Sequence, residues 1–291
     1  MIMFSMFPQF TETVVAEETT IPVEQFATVD QLKSFNTNDN DGEVKAAKVY
    51  FGSSNQQWWI TGSQQEQGLT LFAASPLVND VVFNQDTNEK DYNGQQVYSN
   101  HYGASDIRNT LKGLETSYFT SAEQDLMNDT TIYTNDTKNK SVYSTTDKLY
   151  LAYGIWKDEQ YITVGTNNQN NLNTGLHIDK SYWSEWVWLR APFEKDSKNA
   201  LAVGGKVEGY YASGVNGLVP AFELNISSVI FGSTVPAATS GGALSTNEAF
   251  TLRYKSDDLG LALYNNDKSK VTLSGVQPGT FLVVQNSSRA K

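Results

Sequence analysis

The sequence predicts an α+β protein whose core consists of twisted antiparallel sheets, with short helices beside them and a small all-β domain at the end. Three observations predict this class. Residues 182–224 hold three of the six tryptophans and several strand-like runs separated by glycines. Apolar residues recur at helical spacing after Ser105. Beyond residue 248, four short apolar segments follow at intervals of roughly ten residues, which is typical of a β-sandwich.

The first strand of the central stretch is the segment 186–190, Trp-Val-Trp-Leu-Arg. Both alternating sets of positions are apolar, and a strand covered on both faces belongs inside a protein. Because Pro192 lacks an N–H group for a sheet, we expect the strand to end near Ala191. We therefore assign Trp186 and Trp188 to the structural core.

The rest of the central stretch predicts a small antiparallel meander. Residues 200–203 and 207–211 are short strand-like runs, and the Gly-Gly pair between them can supply the positive φ angles of a tight hairpin turn. Residues 215–224 form a second apolar segment that returns to the core.

Local capping signals predict the helices. Thr28 and Ser105 are candidate N-caps, since each precedes apolar residues at helical spacing. Thr120 and Glu123 form a capping box, in which each side chain satisfies an exposed backbone donor of the other residue. Helices are therefore expected at 28–35, 105–114 and 120–127. Further strands are expected at 48–51, 57–61, 69–74, 78–83, 148–153 and 161–164, while 84–102 is expected to be irregular and 128–144 is mainly polar.

Composition divides the chain into four parts. Residues 1–26 are assigned to a signal remnant and an acidic leader, and residues 27–232 to the α+β domain. Residues 233–247 carry no charge and are rich in Ser, Thr, Ala and Gly, which is linker composition. Residues 248–291 are assigned to a small β domain, or to the truncated start of one.

The net charge of −11 limits the partners of the protein. Binding to nucleic acid needs a basic surface, because the phosphate backbone is negative. We therefore expect no nucleic-acid partner. Over half of the excess negative charge lies before residue 47, which favours a solvated leader over an acidic binding site.

The beginning of the chain indicates export. Residues 1–10 are a short apolar run, and Val-Val-Ala at 14–16, followed by glutamates, resembles the end of a secretory signal. No other stretch approaches the ~20 apolar residues of a membrane span. The absence of cysteine fits surface proteins of Gram-positive bacteria, and it fits the cytosol as well. We expect a secreted or cell-surface protein, with a cytosolic one as the alternative.

The chain offers few residues for catalysis. Without cysteine, disulfides, thiol catalysis and thiolate metal sites are excluded. A catalytic triad or a zinc site would need His101 or His177, and neither has a second histidine at ligand spacing. Neither a Gly-x-Ser-x-Gly elbow nor a P-loop is present. We expect no catalytic residue, metal or cofactor, while a glycosidase pair of carboxylates stays open.

The candidate ligand-binding residues surround the central strand. Tyr182, Trp183, Tyr210 and Tyr211 can stack on sugar rings, because an exposed aromatic face offers an apolar platform with polar edges. Glu185, between two tryptophans, is the carboxylate in the setting most typical of a sugar site. Each residue also has a plain interpretation, as core or as a partly exposed strand edge, and the sequence leaves both open.

Arg190 closes the central strand and is assigned to the structural core. A guanidinium at a strand end needs a bidentate partner, so we expect a buried carboxylate beside it. Asp106, at the start of the helix predicted at 105–114, is the predicted partner and is assigned to the core as well.

Six motifs, taken in order, resemble a known family: Gln-Trp-Trp-Ile (57–60), Ser-Asp-Ile-Arg-Asn-Thr-Leu (105–111), Phe-Thr-Ser-Ala-Glu (119–123), Thr-Asp-Lys-Leu-Tyr-Leu (146–151), Trp-Leu-Arg-Ala-Pro (188–192) and Gly-Leu-Val-Pro-Ala-Phe-Glu-Leu (217–224). Over residues 48–224 the chain resembles an uncharacterised domain family of bacterial surface proteins, which is distantly similar to the sulfatase-modifying-factor and C-type-lectin-like fold. The resemblance implies a C-type-lectin-like α+β domain with two helices flanking twisted antiparallel sheets.

Departures from this family restrict what the resemblance implies. Val219 stands where the family has an arginine, so a ligand role of that arginine is not expected here. The cysteines of the formylglycine-generating enzymes and the Glu-Pro-Asn motif of calcium-dependent sugar binding are missing. The resemblance therefore implies a fold and no activity.

Three functions agree with these features of the sequence. The leading one is a non-enzymatic exported or cell-surface module for recognition or adhesion, which binds a glycan or a surface protein. The second is a structural stalk or assembly domain of a surface protein, without a ligand site. The third is a glycoside hydrolase that uses paired carboxylates.

Overall fold

The computed structural model describes residues 26–35, 47–53, 56–62, 67–155, 161–164, 175–176, 186–204, 206–233, 249–254, 263–264 and 271–272. This part of the chain is mostly β, with few helices. The helices are α1 (Val29–Ser34), α2 (Asp106–Tyr118) and α3 (Ser121–Leu126), and a 3-10 turn lies at Tyr102–Ala104.

The strands, in chain order, are β1 (Phe26–Thr28), β2 (Lys48–Tyr50), β3 (Gln57–Gly62), β4 (Gly68–Ala73), β5 (Val78–Val82), β6 (Lys90–Tyr92), β7 (Gln95–Val97), β8 (Met127–Asn128), β9 (Thr130–Asp136), β10 (Ser141–Asp147), β11 (Tyr150–Leu151), β12 (Tyr153–Ile155), β13 (Tyr161–Thr163), β14 (Gly175–Leu176), β15 (Val187–Pro192), β16 (Asn199–Val203), β17 (Val207–Tyr211), β18 (Val215–Leu218), β19 (Pro220–Asn225), β20 (Val229–Ser233), β21 (Phe250–Tyr254), β22 (Leu263–Tyr264) and β23 (Val271–Thr272).

The larger sheet follows the order β1-β20-β21-β2-β3-β4-β19-β11, and β8 also pairs with β19. Its pairs are antiparallel except for β2 and β21, which run parallel. Strand β4 has neighbours on both sides and every one of its residues is buried. In β3 the two consecutive tryptophans point to opposite faces, as expected: Trp58 is fully buried, and Trp59 is half-buried under the ammonium group of Lys48.

The smaller sheet has the order β17-β16-β15-β18-β5, with β15 in its middle. The predicted meander is confirmed for β15 to β17, which pair antiparallel in succession. The segment 215–224 does not continue it, because this segment divides into β18 and β19, which belong to different sheets. Strand β18 then lies parallel to β15, with Val187 beside Gly217. All six residues of β15 are buried, and the strand continues through Pro192, one residue past the expected end.

One hydrophobic core connects the two sheets. The chain passes from the larger to the smaller sheet between β4 and β5 and returns between β18 and β19, where only Val219 separates the two strands. In the larger sheet the ring of Trp58 meets that of Phe222 edge-on at 4.8 Å. In the smaller sheet Trp188 meets Phe83 at 5.5 Å, and its indole N–H donates to the carbonyl of Val81 at 2.6 Å.

The predicted helix starts are confirmed. Thr28 and Thr120 each form a capping box, and the hydroxyl of Ser105 accepts from the backbone of α2. Helix α2 runs to Tyr118 and buries Ile107 and Leu111. Only the lengths differ from the expectation, since helix boundaries depend on tertiary packing as well as on caps.

Two hairpins lie where the sequence predicted irregular or merely polar chain. Strands β6 and β7 join through Asn93 and Gly94, which both have positive φ angles and form an Asn-Gly hairpin turn. Strands β9 and β10 pair over seven residues. The inward residues of β9 include Thr130, Thr134 and Asp136. Polar residues thus occur on both faces of the strand, so the sequence lacks the apolar alternation that predicts a strand.

Strand β21 lies in the segment 248–291, which the sequence assigns to a small β domain; it pairs with β20 and β2 and so belongs to the larger sheet. Strands β22 and β23 pair with each other. The leader predicted at 1–26, apart from its last residue in β1, and the linker predicted at 233–247, apart from its first residue in β20, lie outside the described residues, as does the last of the four apolar segments beyond residue 248.

In the part of the chain that the structure describes, no helix is both long enough and apolar enough to cross a membrane.

Candidate functional site

The predicted ligand-binding residues divide into two groups. Tyr182, Trp183 and Glu185 lie outside the described residues. Tyr210 and Tyr211 are neighbours on β17, and successive residues of a strand point to opposite faces of the sheet. Tyr210 is half-buried and Tyr211 is 46% exposed. The structure therefore does not bring these two tyrosines together on one surface.

Small residues on β16 determine where the aromatic rings lie. Ala200 and Ala202 face the same side as Tyr210, with Ala200 directly opposite it in register. A Cβ atom added to Gly204, just after β16, would lie 2.6 Å from the indole of Trp186. Alanine and glycine thus leave a shallow floor between β15 and β17, over which large side chains from both strands can meet.

Three rings meet over this floor, and we call Trp186, Trp188 and Tyr210 the aromatic patch. The ring centroid of Tyr210 lies 5.8 Å from that of Trp186 and 5.7 Å from that of Trp188, the second contact being edge-on. Trp188 is buried, as expected for a core residue, whereas Trp186 and Tyr210 are half-buried. The patch therefore joins the core at one end and reaches the surface at the other.

A charged pair lies beside the aromatic patch. Glu208 is opposite Ala202 in register, and its carboxylate contacts the ammonium group of Lys206. Both side chains are substantially exposed. An aromatic surface with a carboxylate and an ammonium group at its rim offers stacking, hydrogen-bond acceptance and hydrogen-bond donation within one area.

Arg190 is fully buried in β15, as the sequence predicted. Its Nη1 donates to the carbonyl of Leu151 at 2.6 Å and its Nε to the carbonyl of Tyr133 at 3.5 Å, while the guanidinium lies 5.1 Å from the ring of Tyr153. Burial lowers the pKa of Arg190, and the hydroxyl of Tyr150 nearby opposes this shift. Backbone carbonyls and aromatic rings thus solvate a charge in the middle of the fold.

The predicted ion pair between Arg190 and Asp106 is corrected. Asp106 begins α2 with a side chain that is 42% exposed, and it binds the backbone N–H of Gln85 at 2.8 Å and the ammonium group of Lys90 at 3.3 Å. Because Asp106 faces the Lys90 hairpin from the first turn of the helix, it lies at the rim of the core.

A bidentate pair of an arginine and a buried carboxylate, as predicted for Arg190, is formed by Arg108 and Asp147. The Nε of Arg108 lies 3.0 Å and 2.9 Å from the two carboxylate oxygens of Asp147, and its Nη2 lies 2.9 Å from one of them. The Asp147 side chain is only 1% exposed. This pair fastens α2 to the end of β10.

His101 belongs to a buried aromatic stack near this ion pair. Its ring lies parallel to that of Tyr143, with centroids 3.8 Å apart, and its Nδ1 accepts from the backbone N–H of Ala104 at 3.2 Å. Burial lowers the pKa of His101 to about 4, although the carboxylate of Asp136 opposes this shift. The histidine is therefore neutral at pH 7 and serves as a hydrogen-bond acceptor.

Glu223 is a fully buried carboxyl group at the centre of β19. Its Oε1 accepts from the hydroxyl of Tyr150 at 3.1 Å, and Thr70 lies opposite it on β4. Among the described residues, Oε2 has no hydrogen-bond partner of good geometry. Burial raises the pKa of Glu223 to about 7, while the hydroxyls of Thr70 and Tyr150 oppose this shift.

A carboxyl group that titrates near neutrality has the proton affinity of a general acid. Glu223 has no exposed surface, however, so a substrate cannot reach it in this conformation. Within the described ranges, no three His, Asp or Glu side chains cluster so that they could hold a metal ion. Of these groups, the half-buried rings of the aromatic patch and the charged pair beside it are accessible to a ligand.

The sequence reasoning missed three of the buried polar residues, namely His101, Asp147 and Glu223. For Glu223 a signal existed, because it is the one charged residue in the otherwise apolar segment 218–224. A lone carboxylate between buried strand positions is costly unless it is hydrogen-bonded or protonated. No comparable local signal marks Asp147, whose partner is 39 residues away.

Comparison of the chain with models of protein families, with curated proteins and with solved structures gives no match in any of the three.

Proposed function

We propose that this chain is a non-enzymatic binding module of a secreted or cell-surface protein, and that a glycan binds at the aromatic patch. The observation that carries the proposal is the pair Trp186 and Tyr210, whose rings lie 5.8 Å apart at an angle of 36° and are both partly accessible. The two rings form a short, slightly curved apolar surface that rests on the core.

The chemistry of this surface fits a sugar ring. One face of many sugars exposes C–H groups that pack on an aromatic face, while their hydroxyl groups need donors and acceptors at the edge. The exposed carboxylate of Glu208 and the ammonium group of Lys206 supply both beside the rings. The segment 182–185, with its own tyrosine, tryptophan and glutamate, immediately precedes Trp186 in the sequence.

The packing of the patch favours binding with little rearrangement. Tyr210 also touches Trp188, which is buried and hydrogen-bonded to the backbone of β5. A Cβ atom at Gly214 would lie 2.6 Å from the Tyr210 ring, so that glycine lets the ring lie close to the backbone. Aromatic side chains that are already held in place lose little conformational entropy when a ligand binds.

We propose in addition that the fold is C-type-lectin-like, as the motif resemblance implies. In support, the motifs fall in strands and helices that share one core, and Trp58, Arg190 and Phe222 within them are fully buried. The motif residues therefore relate to the fold, while the two accessible rings of the aromatic patch, Trp186 and Tyr210, lie outside the motifs.

The test is a glycan array probed with the labelled protein and two single variants. Tyr210→Ala removes a ring of the aromatic patch, and Tyr211→Ala removes a more exposed tyrosine from the opposite face of the same strand. We expect the wild type to bind a group of related glycans, Tyr211→Ala to match it, and Tyr210→Ala to lose most of the signal. Circular dichroism controls for folding.

Two results would contradict the proposal. If the wild type binds no glycan on the array but retains a surface protein in a pull-down, the ligand is a protein. If Tyr211→Ala loses binding as severely as Tyr210→Ala, the ligand does not occupy the aromatic patch. In a third variant, Glu208→Gln, the rings stay in place, so a selective loss there supports a polar contact at the rim.

A further inference from the structure

The hairpin β9–β10 forms a two-stranded sheet with one unoccupied edge. Its register runs without a shift from Ser141 opposite Asp136 to Asp147 opposite Thr130. Within the part of the chain that the structure describes, β10 pairs with β9 on one side and with no strand on the other. An edge of this kind presents unpaired backbone donors and acceptors, which can pair with another strand.

Except at its last residue, strand β10 lacks the features by which proteins usually protect a sheet edge. From Ser141 to Thr146 it contains no proline, no charged residue and no bulge. Its single charge, Asp147, is turned inward and bound by Arg108.

The two edges of the smaller sheet provide a contrast. Strand β5 carries Asp80 with a positive φ of 57°, and its pairing with β18 has a register shift. Strand β17 carries Glu208, with Lys206 just before it. Charges and irregular backbone discourage edge pairing, so of these three edges β10 is the one suited to it.

The exposed side chains of the two strands, outside the turn that joins them, are also uncharged. Val142 is 51% exposed on β10 and Tyr133 is 44% exposed on β9, and these are two of the four large apolar side chains that are exposed in the described residues. The side chains of Thr131 and Thr146 bridge the two strands by a hydrogen bond of 2.9 Å. Threonine, valine and tyrosine are enriched in β-strands, so the composition of this surface favours pairing with a further strand.

We propose that two copies of this chain associate by antiparallel pairing of β10 with β10, on a two-fold axis that passes next to Ser144. Residue 144 is the midpoint of β10 (Ser141–Asp147), so this register uses the whole length of the strand. Val142 then lies opposite Thr146 of the second copy, and Tyr143 lies opposite Thr145. Such aromatic and β-branched cross-strand pairs are favourable, and no like charges face each other within the pairing.

The pairing converts two hairpins into one four-stranded sheet. Because the edge is only seven residues long, the interface is small and the association should be weak and dependent on concentration. Each copy carries a net charge of −11, so the copies repel each other at long range. Salt screens this repulsion, and we therefore expect dimerisation to strengthen as ionic strength rises.

The absence of cysteine makes a disulfide test clean, because one introduced thiol is the only one in the chain. In Ser144→Cys, two copies would bring their thiols together across the axis, where the Cα atoms of opposed residues lie about 4.5–5.5 Å apart, within the range of a disulfide. The matched control is Ser141→Cys, an exposed serine on the same strand that lies away from the axis.

On a non-reducing gel after mild oxidation, we expect a covalent dimer for Ser144→Cys and little for Ser141→Cys. Sedimentation equilibrium of the unmodified chain should show a monomer–dimer equilibrium that salt shifts toward the dimer. Ser144→Lys opposes two like charges and should be monomeric, whereas Ser141→Lys faces Asp147 of the second copy and should still dimerise. The proposal is overturned if the unmodified chain stays monomeric up to about 1 mM, or if the two cysteine variants cross-link equally.

Discussion

The guanidinium of Arg108 holds both carboxylate oxygens of Asp147 and thereby ties the first turn of α2 to the last residue of β10. The two residues are far apart in the sequence, and the Asp147 side chain is almost completely shielded from water. A buried charge that loses its partner is much more costly than an exposed one. The contact therefore holds the helix and the hairpin together.

Asp147→Asn should destabilise the fold by roughly 3–5 kcal/mol, because it leaves the Arg108 charge half-buried without its counter-ion. The matched control is Asp106→Asn, in the same turn of α2 as Arg108. The ion pair of Asp106 with Lys90 is partly exposed and should contribute about 1 kcal/mol or less to stability. Urea unfolding of both variants measures the difference. Equal losses would mean that Asp147 contributes no more than a surface carboxylate.

The raised pKa of Glu223 predicts a stability that falls as pH rises. The unfolded chain releases this proton near the ordinary value of 4.5, whereas the folded protein keeps it to about pH 7. Between these values the folded state binds more protons, so the free energy of unfolding falls with rising pH by about 1.4 kcal/mol per unit from this group. Glu223→Gln stays uncharged and should be more stable than the wild type at pH 8, as measured by urea unfolding. An unchanged pH profile would contradict the assignment.

His101 should produce the opposite dependence in nearly the same range. The unfolded chain binds a proton near pH 6.5, whereas the folded protein binds one only near pH 4, so this stabilising contribution is complete above 6.5 and is lost as pH falls toward 4. Between about pH 4.5 and 6.5 the two contributions therefore oppose each other in the wild type.

Single variants should separate these two contributions. Relative to the wild type, Glu223→Gln should lose stability on acidification between pH 6.5 and 4.5, and His101→Asn should gain it. The asparagine keeps a side-chain acceptor for the N–H of Ala104. The double variant should again match the wild-type slope. If both single variants keep the wild-type slope, neither group titrates as described.

Trp188→Ala should destabilise the protein by about 3–5 kcal/mol, because it removes a buried indole and its hydrogen bond to Val81. Tyr211→Ala, which truncates an exposed ring on β17 of the same meander, should cost less than about 1 kcal/mol. Thermal unfolding provides the comparison. Similar melting temperatures for the two variants would show that the aromatic patch does not rest on a packed core.

What the sequence could predict was local. Capping side chains lie three residues from the groups they bind, so Thr120 with Glu123 could be read directly. The two-sided apolar pattern around Trp188 correctly indicated a central strand, since burial on both faces follows from composition alone.

What the sequence could not predict depends on distant partners. The carboxylate that pairs with Arg108 belongs to Asp147, which is 39 residues away. Strand Phe250–Tyr254 enters the larger sheet beside Lys48–Tyr50, although a linker-like segment precedes it in the sequence. The separation of Tyr210 from Tyr211 follows from strand alternation, which could have been applied to the candidate site in advance.

The central claim is that a glycan packs on Trp186 and Tyr210. The most direct measurement is a calorimetric titration of the best glycan from the array into the wild type, Tyr210→Ala and Tyr211→Ala. We expect Tyr210→Ala to weaken binding by about tenfold or more, which corresponds to one stacking contact of roughly 1.4 kcal/mol, and Tyr211→Ala to bind as the wild type does. Equal affinities for the wild type and Tyr210→Ala would contradict the claim.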